Sequence, residues 1–73
     1  MRIPVEVVLV TNKVGDLRPL YIVWNQYGEK SMYKIKSIRQ VRRMPDESTL
    51  YECYCDRTVH HLYHLHNKWY VDD

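Results

Sequence analysis

Seventy-three residues suffice for one domain with one core, and at this size folding buries only about 60% of the surface the unfolded chain exposes. Seven Tyr and two Trp with no Phe put a hydroxyl or an indole N–H on each of these aromatics, so the core needs polar partners or a wet border. A net charge of +2 with a pI near 8.6 is too mild to imply nucleic acid by itself, and no run approaches the roughly 18 apolar residues of a membrane span.

The stretch Met1-Arg2-Ile3-Pro4-Val5-Glu6-Val7-Val8-Leu9-Val10 is apolar but interrupted by Pro4 and Glu6, and no small-residue cleavage site follows, so it does not read as a signal peptide. A cytoplasmic protein of bacterial type is expected. Val5 to Thr11 forms the first strand, and its unbroken Val7-Val8-Leu9-Val10 predicts burial on both faces. Pro4 suits a strand start because it has no N–H to give a ladder. Asn12-Lys13-Val14-Gly15-Asp16 is a turn, and Leu20 to Trp24 after Pro19 is the second strand. A short loop, Asn25-Gln26-Tyr27-Gly28, follows, with Gly28 free to take positive φ.

Lys30 to Met44 carries two periods at once. Tyr33 and Ile35 alternate as in a strand, whereas Ile35, Ile38, Val41 and Met44 are spaced by three, as a helix would present them. The strand reading is preferred, with a bulge near Lys36-Ser37 moving the apolar side from odd to even positions. Pro45 to Thr49 is a loop. Leu50 to Cys55 and Val59 to His66 are strands around Asp56-Arg57-Thr58, and Asn67-Lys68 turns into a last strand, Trp69-Tyr70-Val71. No repeat or linker divides the chain, so residues 1–73 form one all-β domain. Five or six short strands in meander order are most economically a strongly bent antiparallel sheet or small barrel, since rolling up removes exposed edges.

Trp24, Gly28, Tyr33, Ile35 and Ile38, the basic run that follows and the closing Trp69-Tyr70-Val71 resemble small bacterial domains of SH3-like β architecture. The resemblance spans residues 20 to 71. It implies the fold and transfers no function, because that family has no assigned activity.

Between Lys30 and Arg43 stand Lys30, Lys34, Lys36, Arg39, Arg42 and Arg43, with no acidic residue among them. On a bulged strand most of this charge reaches one solvent side, where Lys34, Lys36, Arg39, Arg42 and Arg43 would neutralise an anionic partner and Tyr27 and Tyr33 would offer stacking surfaces. The bland reading is an edge strand protected by cations and paired with the acidic Asp46, Glu47, Glu52 and Asp56.

A second cluster joins Cys53 and Cys55 to His60, His61, His64 and His66. A two-residue turn at Arg57-Thr58 would set Cys55 opposite His60, Cys53 opposite Leu62 and Tyr51 opposite His64. Thiolate and imidazole suit zinc, so Cys53, Cys55, His60 and His64 are the metal candidates. A Cys-x-Cys pair in a straight strand spaces its thiols by about 7 Å along parallel vectors, which is wrong for the usual zinc modules and at the limit for a disulfide. Free buried thiols in a reducing compartment are the better reading. No oxyanion donor or orienting carboxylate accompanies the Cys–His pair, so neither enzyme activity nor a cofactor is expected.

Trp24 and Trp69 would pair across strands to clamp the barrel or line a peptide groove, the former being preferred. Leu50, Tyr54, Tyr63 and Leu65 share the other face of their hairpin, which suits self-association. The expected function is therefore a non-enzymatic binding module for nucleic acid or an acidic protein. The alternatives are a structural or protein-interaction domain, dimeric through a strand edge, and a metal- or redox-responsive Cys/His hairpin. No membrane partner is expected.

Overall fold

Strands β1 (Arg2–Thr11), β2 (Leu17–Gln26), β3 (Glu29–Lys34), β4 (Ser37–Arg43), β5 (Thr49–Cys55), β6 (Thr58–Leu65) and β7 (Lys68–Asp72) make up the computed structural model, which describes residues 1–72 apart from the side chain of Gln26. They form one strongly curled antiparallel sheet in the order β3-β2-β1-β7-β6-β5-β4. Among the described residues no helix is long and apolar enough to cross a membrane.

The two edge strands, β3 and β4, are consecutive in the chain. At the corner between them Ile35 N donates to Leu20 O (2.9 Å) and Lys36 N donates to Tyr54 O (2.8 Å), so one extended segment reaches from one end of the sheet to the other and draws the edges together into a half-barrel. Strand β1 crosses between the same two halves on the opposite side, pairing with β7 over Arg2–Val5 and with β2 from Glu6 onward.

Strand alternation then decides the core. Ile22 on β2, Cys53 and Cys55 on β5, Leu62 on β6, Trp69 and Val71 on β7, and Ile35 at the corner are buried together, with Ile3, Val5, Val7, Trp24, Tyr33, Ile38 and Tyr51 packed around them. On the outer face Leu50 and Tyr63, opposite each other in register, are also buried, with the Arg2 guanidinium over the Tyr63 ring.

Seven strands replace the expected five or six because residues 30–44 are extended but not one strand. The chain breaks at Ile35-Lys36 and then bulges between Ile38 and Gln40, leaving Arg39 as the extra residue. Corner and bulge together produce the three-residue apolar spacing that mimics a helix. A second irregularity, between Val8 and Leu9, leaves Leu20 unpaired between Tyr21 and Pro19, and a bulge is where a strand tolerates a residue without an N–H.

Three further expectations are corrected. The β5–β6 turn is Asp56-Arg57, with Asp56 at φ 54°, a conformation Asp tolerates. This moves the register by two residues without changing faces: Cys53 stands opposite His60, Tyr51 opposite Leu62 and Cys55 opposite Thr58. The last turn is His66-Asn67, both left-handed (φ 50° and 64°), one residue earlier than expected. Finally, Val8, Leu9 and Val10 are 41%, 36% and 44% exposed, because the β1–β2 hairpin continues past the end of β7.

Candidate binding surfaces

Lys30 and Lys34 alternate with the inward Tyr33 on β3 and so face outward. Past the corner, the bulge at Arg39 re-phases β4. Arg42, opposite Leu50, lies on the same outer face as Lys34, while Arg43, opposite Thr49, stays on the inner rim. Three of the six cations have carboxylate neighbours: Lys30 and Glu6 at 3.9 Å, Lys36 and Asp56 at 3.9 Å, and Arg39 and Glu52 at 3.8 Å. Such long, solvated pairs hold little energy. Among the described residues Lys34, Arg42 and Arg43 make no ion pair. Glu52 and Asp56 thus do answer part of the basic run, whereas Asp46 goes elsewhere.

The two expected stacking residues are not gathered with these cations. Tyr27 is 97% exposed in the β2–β3 turn, separated from Arg42 and Arg43 by the whole of β3 and β4. Tyr33 is half-buried on the inner face, its ring 6.2 Å from Trp24 and 5.8 Å from His60. Trp24 and Trp69 do not clamp each other. Trp24 packs with Tyr33 and His60, and Trp69 lies between Tyr51 (5.6 Å) and a stacked His64 (4.1 Å, 10°).

Cys53 and Cys55 are free and buried. Burial, reinforced by the neighbouring Cys55, pushes the Cys53 thiol up to about 12; burial and then Asp56 also raise Cys55. Cys53 gives its S–H to the Tyr51 carbonyl (3.6 Å), so the group opposite His60 is a core thiol rather than a thiolate. His64 stands four rows further along the hairpin, opposite Thr49. Among the described residues no three His, Cys, Asp or Glu side chains come together as a metal would require.

One network escapes the sequence reading. Arg2 Nη1 donates to Asp46 Oδ2 (2.8 Å) and Nη2 to Ser48 Oγ (3.5 Å), while the guanidinium lies 3.9 Å above the Tyr63 ring. Ser48 donates to Asp46 Oδ1 through both its N–H (3.0 Å) and its hydroxyl, and Tyr63 Oη donates to Asp72 Oδ2 (3.4 Å). The Asp46-Glu47-Ser48 spacing is a local turn signal. Arg2, however, is 44 residues away, and nothing local points to it.

Compared with protein-family profiles, curated proteins and solved structures, the chain has no match.

Proposed function

We propose that this chain is a non-enzymatic binding module on an SH3-like small barrel, acting in the cytoplasm, and that it takes an anionic partner along the basic β3–β4 segment. The observation carrying this reading is that β4 is an edge strand, paired on one side only, and that Lys34, Arg42 and Arg43 along this segment lack ion pairs among the described residues. An open edge offers main-chain hydrogen bonds to an extended segment, and flanking cations choose an acidic one. An acidic polypeptide is favoured over nucleic acid, because the two expected stacking residues, Tyr27 and Tyr33, stand away from the arginines. The two buried free thiols suit a reducing compartment.

Titration with a glutamate-rich peptide and, separately, a single-stranded oligonucleotide over a range of salt tests this. The peptide is expected to bind in a salt-dependent manner, and the double variant Arg42→Glu with Arg43→Glu to lose that binding. Salt-insensitive binding, or binding unchanged by the double reversal, would overturn it.

A further inference from the structure

Beyond Val5, strand β1 has a neighbour on its β2 side only. The β1–β2 hairpin therefore extends past β7 with the Val7–Thr11 edge unpaired. A shallow cleft of about 590 Å³ between Val5, Val7, Asn67 and Tyr70 lies at the start of this edge, with no other described residue filling it. Five of the nine exposed large apolar side chains among the described residues lie in this one hairpin: Val8, Leu9, Val10, Val14 (80%) and Leu17 (41%).

The other two edges are defended. Strand β3 carries Lys30 and Lys34, and β4 carries Arg39, Arg42 and Arg43 with a bulge at Arg39. Like charges repel a second copy of the same edge and a bulge interrupts a long flat one, so neither strand suits self-pairing, while the cations of β4 still admit an acidic segment. Val7-Val8-Leu9-Val10-Thr11 has neither charge nor proline, and the extra residue of its nearby bulge lies on β2.

We propose that this edge pairs with the same edge of a second copy, antiparallel about a two-fold axis at Leu9, giving a four-stranded β2-β1-β1-β2 sheet. Such a contact is isologous and closes on itself. In that register Val8 stands opposite Val10 of the second copy, Val7 opposite its Thr11, and Glu6 opposite its Asn12 and next to its Lys13. The Glu6–Lys13 attraction occurs twice, whereas a parallel arrangement would set Glu6 beside Glu6. Val8 and Val10 lie on the outer face and Leu9 on the inner one, so the second copy covers side chains on both. This supplies the two-sided burial that the continuous apolar run calls for and the single chain lacks.

The test is the solution mass by light scattering and sedimentation over a concentration series. The 8.9 kDa chain should double in mass, and Val10→Lys should weaken the dimer by about tenfold or more, since it buries an unpaired charge. Because that variant risks disturbing the hairpin, Leu9→Cys provides a second reading. Placed on the axis, it should oxidise to a linked dimer much faster than Val14→Cys at the hairpin tip. A monomer at every concentration, a dimer indifferent to Val10→Lys, equal cross-linking of the two cysteine variants, a dimer abolished by Arg42→Glu with Arg43→Glu, or a mass gain only on adding a different protein would each overturn the proposal. Peptide binding at β4 should survive Val10→Lys, which separates this interface from the anion-binding surface.

Discussion

His64 lies face to face on Trp69, and burial there lowers its pKa from 6.5 because the charged ring is the poorer occupant. The unfolded chain therefore takes up this proton at a higher pH than the folded one does. The contribution is complete above pH 6.5 and lost as the pH falls below it. Melting temperature should drop on acidification through this window, and His64→Gln should remove that part of the drop; a melting profile flat below pH 6.5 would exclude the effect. Asp46 behaves likewise at lower pH. Its two hydrogen bonds from Ser48, then Arg2, hold it at about 2 against 3.8, so the 44–48 loop should come loose between those values. The Cys53 and Cys55 thiols are shut in by the core, so a disulfide reagent should find no reactive thiol in the native chain and two after denaturation. That both cysteines would be core thiols is legible from residue type alone. The Arg2–Asp46 pair is not, because it depends on how the sheet curls.

Each hairpin shows how far local chemistry goes. Alternation and turn residues place all the strands outside 30–44 to within a few positions, because period and punctuation are local properties. Turn phase is less visible: in His66-Asn67 and Asp56-Arg57 no glycine marks the left-handed residue, and each turn falls one residue or so from where composition alone places it. The Tyr27-Gly28 turn is the legible case, with both residues left-handed (φ 52° and 79°) as a type I′ hairpin turn requires. A Cβ at Gly28 would meet nothing within 4 Å, so any cost of adding one is conformational rather than steric. Gly28→Ala should therefore destabilise by about 1–2 kcal/mol, the left-handed penalty, with an unchanged spectrum of core resonances. Denaturant unfolding with an unchanged slope checks this, and a loss below a few tenths of a kcal/mol would show that the turn is held by something other than backbone preference.

What a linear pattern cannot display is closure. The curled sheet consists of a β1-β2-β3 half and a β7-β6-β5-β4 half, and the chain passes between them twice, at Val5-Glu6 and at Ile35-Lys36. At the second passage buried Ile35 sits in the same core as Ile22 from one half and Cys53 and Leu62 from the other. The apolar spacing at Ile35, Ile38 and Val41 is ambiguous in sequence because it records this corner, which depends on Leu20 and Tyr54, far off in the chain on either side. Closure also makes a thermodynamic claim: neither half keeps a core without the other, so the molecule should unfold as one unit. At about 0.05–0.15 kcal/mol per residue a chain of this length has only about 4–11 kcal/mol in total, and Ile35→Ala should remove about 2–5 kcal/mol of it by leaving a cavity at the joint. Trp24 reports on the first half and Trp69 on the second, so the single-tryptophan variants Trp69→Phe and Trp24→Phe follow each separately. In each background the denaturation midpoint should match that of the far-ultraviolet dichroism, and Ile35→Ala should lower both measures together. If the tryptophan signal of either half fell while the strand signal of the other persisted, the two halves would be independent sheets and the corner a mere linker.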